Sequence, residues 1–249
     1  MFCEEIKLRV YKCIKSYFYS NNLISFVFNV SYFNRSNIFK EVSRFAKENR
    51  IGNEVLDVGC GESPYKHLFD KHKYTGLDIE LSGHAGVNMA ADIYYDGKEF
   101  PLVSNSFDAV ICTEVITHSF DQDLLINEIL RVTKPQGLIF VTTPFLWLEN
   151  EAPYDNNRFT LFGIVNRFSR LDCEIIYKNK YGNLVELVYQ LLLIFLLKRI
   201  PFIFLRLCIQ ILFLPLTLLV SILSFIFDRF WRTEKVVYTG SVLVIRKTR

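Results

Sequence analysis

The stretch Val55-Leu56-Asp57-Val58-Gly59-Cys60-Gly61 constrains this chain most. A short apolar run that ends in an acid and two closely spaced glycines reads as a strand with a sharp turn at its C-terminal end. Glycine accepts backbone angles and close approaches that a side chain blocks, so a ligand can lie against bare backbone there. The next apolar run, Tyr74-Thr75-Gly76-Leu77-Asp78, places an acid at a second strand tip, where a carboxylate can accept the hydroxyl protons of a ribose. The dinucleotide fingerprint would require a third glycine at position 64. Pro64 stands there, which disfavours NAD or FAD.

From about residue 53 to 178, short apolar runs alternate with helix-like or loop-like segments, the pattern of parallel strands joined by crossovers. Strands are predicted near 54–58, 74–78, 107–112, 137–143 and 173–178. A helix is predicted from Asp121-Gln122-Asp123 through Leu124, Leu125, Glu128, Ile129 and Val132 until Lys134-Pro135-Gln136-Gly137 stops it. Tyr238 to Ile245 reads as one further strand. A chain of 249 residues accommodates one α/β domain with an appendage.

Hydrophobic residues make up 51% of the chain, with 23 Phe and a mean hydropathy of +0.20. The excess sits between about 184 and 227. Leu207 to Phe227 carries no charge and has the length of a bilayer span, although Gln210 and Pro215 weaken a straight helix. Leu187 to Leu197 is shorter, and Lys198-Arg199-Ile200-Pro201 forms a charged turn between them. Near the start, Ile6, Val10, Cys13, Ile14 and Tyr17 recur at helical spacing among lysines. This basic amphipathic helix either caps the core or contacts a membrane surface. The 29 basic and 26 acidic residues form no Lys/Arg blocks, so a nucleic-acid partner is not expected. Six cysteines without a C-x-x-C pair point to a reducing compartment and no metal site. The start Met1-Phe2-Cys3-Glu4-Glu5 lacks the features of a secretory signal, so a cytoplasmic location is expected.

With these motifs in order, the chain resembles the class I S-adenosylmethionine-dependent methyltransferases, in particular their type-11-like branch, over about 53 to 178 and at the terminal strand. The resemblance implies a Rossmann-like seven-stranded sheet with helices on both faces. The chain is then read as an N-terminal helical cap over residues 1–50, a core over 51–180, a hydrophobic helical insert over 181–233 and a terminal strand over 234–249 returning to the sheet. The resemblance further implies that Asp57, Gly59, Cys60 and Gly61 hold the methionine side of S-adenosylmethionine and that Asp78 and Ile79 hold the ribose. Asp92 and Ile93 then meet the adenine, and Thr113 and Glu114 line the pocket.

Methyl transfer from a sulfonium is an in-line displacement that needs a base only when the acceptor must lose a proton. Glu114 and His118 are spaced i, i+4, and a histidine beside the donor can take such a proton or shape the pocket. The run Asn150-Glu151-Ala152-Pro153-Tyr154-Asp155-Asn156-Asn157-Arg158-Phe159-Thr160 reads as a loop over the strand ends. It resembles a segment of methyltransferases associated with bacterial surface-glycan synthesis, which often carry histidine where Asn150 stands. Glu151, Asp155 and Arg158 are the candidates for chemistry. Alternatively Asp155 pairs with Arg158 and Thr160 caps the next helix.

If residues 238–245 return to the sheet, both ends of the insert lie on one side, and a single crossing is excluded. A crossing hairpin would carry Lys198 and Arg199 to the far side, against the positive-inside tendency. An in-plane or re-entrant anchor is therefore expected, and a soluble lid or dimer contact is the alternative. The expected partners are an amphiphilic acceptor, either a lipid or a glycan carried on one, at the cytoplasmic face of a membrane, with a soluble small-molecule acceptor or a non-catalytic scaffold as alternatives.

Overall fold

The computed structural model describes residues 23–79, 91–150, 152–230 and 236–249. They fall into two compact units, Glu41–Lys180 with Gly240–Arg249 and Met1–Lys40 with Tyr181–Thr239. The predicted helix around Ile6 to Tyr17 lies outside the described residues.

The first unit is built on strands β1 (Glu54–Val58), β2 (Lys73–Ile79), β3 (Ile93–Tyr95), β4 (Phe107–Thr113), β5 (Thr133–Pro144), β6 (Cys173–Tyr181) and β7 (Gly240–Lys247). They form one Rossmann-like sheet in the order β3-β2-β1-β4-β5-β7-β6. Strands β1 to β5 pair in parallel, and β7 runs antiparallel to β5 with Ile139 opposite Ile245. The predicted strands are all present. Strand β3 was not among them: it has three residues, none fully buried, too few to leave a period in the sequence.

Helix α3 (Gln122–Val132) starts where predicted, because the Asp121 side chain accepts the Leu124 N–H at 2.9 Å. β5 follows directly at Thr133, so Lys134 to Gly137 belong to the strand, with Gln136 at φ +65. Ile139 and Val141 of β5 join the core formed with α3 and α4 (Leu161–Phe168). Phe140 points the other way, its ring 5.1 Å from Phe45 in α2 (Tyr32–Glu48). Side-chain alternation along one strand thus gives the sheet a helix on each face.

The second unit contains α1 (Leu23–Phe28), α5 (Leu184–Lys198), α6 (Ile203–Leu212) and α7 (Leu214–Phe230). The uncharged stretch Leu207–Phe227 is not one helix: α6 and α7 meet at Phe213 with a bend of 50°. Pro215 explains the restart, since proline is tolerated in a helix's first turn and not in its interior. Among the described residues no single helix is long and apolar enough to cross a membrane, although the bent pair Phe204–Leu212 and Leu214–Phe230 passes that test together.

Polar side chains in this unit point inward. Asn183 caps α5 and donates to Ser224 of α7 at 2.8 Å, and Ser224 donates to Glu186 at 2.6 Å. Glu186 also accepts from Asn37 at 2.9 Å, while Tyr189 bonds Thr217. Gln190 accepts the Asn34 N–H at 3.2 Å, and Gln210 donates to the Phe28 carbonyl at 3.0 Å. Ascending residues of α5 therefore meet descending residues of α7, an antiparallel pair. Among the described residues, eighteen exposed large apolar side chains stand outward from Leu184 to Phe230, including Leu192, Phe204, Leu212, Ile222 and Phe225. Exposed apolar side chains gathered in this way mark an interaction surface.

Candidate cofactor and acceptor site

The chain leaves β1 by a turn in which Gly59 has φ +68 and Gly61 has φ +53. The Gly59 and Cys60 N–H groups bond the Leu77 carbonyl at 2.8 and 3.2 Å, which ties the turn to β2. A Cβ at Gly59 would lie 2.2 Å from Val115 Cγ2, whereas one at Gly61 would meet no atom within 4 Å. Gly59 is thus required by packing, and the backbone at Gly61 borders open space. Gly59→Ala combines a steric clash with a left-handed backbone and should lose about 2–4 kcal/mol of stability. An unchanged midpoint in chemical denaturation would contradict this.

Asp78 lies at the end of β2 and is buried. Its Oδ2 accepts the Gly61 N–H at 2.7 Å and its Oδ1 the Ile79 N–H at 2.8 Å. Each carboxylate oxygen can accept a second bond, so the acid both fixes the glycine turn and keeps capacity for hydroxyl donors. Asp57 is fully buried beneath the turn and accepts the Tyr74 hydroxyl on Oδ2, while Oδ1 has no hydrogen-bond partner among the described residues. Desolvation pushes its carboxyl up to about 7, partly offset by the Tyr74 bond and reinforced by the charge of Asp78. A buried acceptor without a donor fits a cationic group such as the ammonium of S-adenosylmethionine. Burial, with Asp57 nearby, pushes the Cys60 thiol up to about 12. It packs as a small apolar group and not as a nucleophile.

Asp92 precedes β3, and its Oδ2 accepts the Gly76 N–H at 2.8 Å. Thr113 ends β4, and Glu114 follows in the left-handed region at φ +62, its N–H bonded to the Thr142 carbonyl and hydroxyl, each at 3.1 Å. Such backbone costs of order 1–3 kcal/mol and concentrates at functional sites. The C-terminal edge of the parallel strands therefore gathers Asp57, Gly59, Gly61, Asp78, Thr113 and Glu114, as expected for a ligand crevice in an open α/β sheet, whereas Asp92 and Ile93, expected at the adenine, stand at the start of β3, level with Gly76 and Leu77 of β2.

The acceptor side is built from the turn after β4 and the loop after β5. Asn156 and Asn157 N–H groups bond the Thr117 carbonyl at 3.1 and 3.2 Å, and the Asn156 side chain donates to the His118 carbonyl at 3.1 Å. His118 Nδ1 is buried, 3.9 Å from Asp155 Oδ1, beyond hydrogen-bond reach. Arg158 holds Asp155 with two N–H groups, and the Asn150 N–H adds a bond at 2.8 Å. The Arg158 guanidinium keeps the Asp155 carboxyl below its ordinary range. Arg158 also donates to the Asn157 and Leu148 carbonyls at 2.9 and 3.1 Å, and Thr160 caps α4 by accepting the Gly163 N–H at 3.0 Å. In this geometry Asp155 and Arg158 fold the loop, and that loop clamps the histidine turn. Glu151 lies outside the described residues.

Sequence reasoning missed Tyr74, Thr142 and Asn156, whose contacts join segments distant in the chain. It also missed Phe120, two residues past His118 and 95% exposed. The unbroken polar run 154–157 was the one signal for Asn156.

A family model described as a methyltransferase domain matches residues 56–141, the segment that runs from β1 through β5. A probable S-adenosylmethionine-dependent methyltransferase of Mycolicibacterium smegmatis is 34% identical over 99 residues, covering 37% of this chain and 38% of that protein. A sterol 24-C-methyltransferase of Gibberella zeae is 34% identical over 137 residues, covering 50% of this chain and 34% of that protein. The matches thus span little more than a third of the length of these curated relatives. The crystal structure of a putative sarcosine dimethylglycine methyltransferase from Galdieria sulphuraria shares the fold with a TM-score of 0.53 at 15% identity, covering 85% of each chain. The glycine turn, the two strand-tip acids and the matched segment together place in this chain a methyltransferase domain of the S-adenosylmethionine-dependent class.

Proposed function

We propose that this protein transfers the methyl group of S-adenosylmethionine to an oxygen of an amphiphilic acceptor, a lipid or lipid-linked glycan, held at the cytoplasmic face of a membrane. The observation that carries the reading is the second unit's reversed polarity, with hydrogen-bonded polar side chains inside and large apolar ones outside. In water such a face is unfavourable, and in a bilayer it is the ordinary arrangement. A relative named for sterol methylation supports an amphiphilic acceptor.

The bound cofactor supplies an electrophilic methyl group. The chain's own residues do the rest. Asp57, Gly61 and Asp78 would hold the donor, with Thr113 and Glu114 beside it, and residues 152–160 would border the acceptor. His118 receives the proton that the acceptor hydroxyl loses. Its position rests on Asn156, and Asp155 with Arg158 holds that loop in register.

Incubating the protein with methyl-labelled S-adenosylmethionine and a membrane extract should place label in the organic phase. Label confined to the aqueous phase would favour a soluble acceptor, and no label would end the enzymatic reading. With the labelled acceptor in hand, His118→Ala should lower the rate by about 10²-fold or more. An unchanged rate would take the proton-acceptor role from His118.

A further inference from the structure

We infer that the second unit is a wedge that occupies one leaflet, lying along the membrane surface, and that its cationic end reads anionic headgroups. The inference rests on the membrane reading above and specifies its partner and depth.

Three observations carry it. The Thr239 N–H bonds the Tyr181 carbonyl at 3.0 Å, so the insert begins and ends at one point. An odd number of crossings is thereby impossible. Helices α5 and α7, antiparallel to each other, have 15 and 17 residues, about 22 and 25 Å at 1.5 Å per residue. Both fall short of the roughly 30 Å of hydrocarbon in a bilayer. A hairpin of that length standing upright would leave its tip inside the hydrocarbon.

That tip is charged, which decides the orientation. Lys198 and Arg199 close α5 and are exposed. The Arg199 guanidinium lies 4.3 Å from the Phe195 ring. Arg206, one turn into α6, donates to the Ile200 carbonyl at 2.5 Å. No carboxylate pairs with these three cations among the described residues. At the hairpin's far end, upright insertion would bury all three in hydrocarbon. Lying flat brings them to the headgroups, where phosphates neutralise them and the flanking Phe195, Phe202 and Phe204 enter the acyl region. The opposite end of the pair, with exposed Asp228 and Arg229, reaches the same depth.

The full chain should bind sealed vesicles of phosphatidylcholine, and binding should rise when phosphatidylglycerol is included. The triple substitution Lys198→Glu, Arg199→Glu and Arg206→Glu should keep the first and lose the gain, by about fivefold per cation. Equal gain in the variant overturns the headgroup assignment. Depth is read separately with Lys198→Cys added to the outside of sealed vesicles. A membrane-impermeant maleimide supplied outside should label it more strongly than the unsubstituted chain. Labelling that requires detergent, or never exceeds the unsubstituted chain, overturns the one-leaflet wedge. A native chain that stays with neither kind of vesicle refutes instead the membrane reading beneath it, while label transfer to an acceptor still tests the enzyme.

Discussion

Replacing Asp78 by alanine should abolish measurable binding of S-adenosylhomocysteine in calorimetry while the protein stays folded. The carboxylate has two tasks in one place. It accepts the Gly61 and Ile79 N–H groups at 2.7 and 2.8 Å, and a carboxylate with four acceptor sites could also take the hydroxyl donors of a ribose. Hydrogen bonds to a charged group contribute about 1.5–3 kcal/mol each. Loss of two ribose bonds therefore amounts to about 3–6 kcal/mol, at least a hundredfold in affinity. The glycine turn loses its anchor as well, so the methionine side loosens with the ribose side. Asp78→Asn keeps one acceptor and should retain part of the affinity. Equal affinity in Asp78→Ala and the native chain would remove this acid from the cofactor site.

The second large effect concerns Asp57 and pH. Its carboxyl stands at about 7 in the folded protein against an ordinary value of 3.8. Below pH 4 both states are protonated and the group contributes no slope. Between about 4 and 7 the unfolded chain releases the proton and the folded chain keeps it, so folding stability falls as pH rises. Above about 7 both are ionised, and the accumulated penalty levels off at about 4 kcal/mol. Asp57→Asn should therefore be more stable than the native chain at pH 8 without cofactor, and the difference should vanish near pH 4. Binding runs in the opposite sense. A cationic cofactor group favours the carboxylate, so affinity should weaken as pH falls below about 7 and lose this dependence in Asp57→Asn. A native chain with pH-independent affinity from 5 to 8 would break the link between this acid and the cofactor's charge.

These expectations combine a motif legible in one dimension with contacts that are not. The Asp57–Gly61 turn and Asp78 stood out because local backbone geometry restricts which residues serve there, and glycine at positive φ is such a restriction. Strands β1, β4 and β5 were visible as apolar runs, since strands buried on both faces leave little room for polar residues. Strand β3 was not: its placement follows from pairing of Leu77 with Ile93 in the sheet, not from its own three residues. Likewise Asp57 reads as a strand-end acid in sequence, and only its burial raises its proton affinity, against the Tyr74 bond that lowers it.

The acceptor loop divides in the same way. Asp155, Arg158 and Thr160 were candidates from residue type and spacing, and both a chemical and an architectural role were open. Two guanidinium bonds, the Asn150 N–H and the Thr160 cap supply architecture. His118 gains its place from Asn156, 38 residues away. A long-range clamp of this kind leaves no periodic trace.

For the hydrophobic insert, composition alone located the surplus of apolar residues and the cationic turn at Lys198-Arg199, because both are local properties of the chain. It overstated the helix at Leu207–Phe227, which breaks at Phe213 before Pro215. Which side chains face inward was decided by tertiary structure. Asn183, Glu186, Gln190, Gln210, Thr217 and Ser224 each find polar partners only when α5, α6 and α7 meet one another and the start of the chain. The sequence therefore determined the donor turn, the parallel sheet and the presence of an apolar appendage. Tertiary structure decided the charge state of the donor site, the clamp on the histidine and the outward face of the appendage. Each of these depends on burial and on partners distant in sequence, which no local pattern encodes.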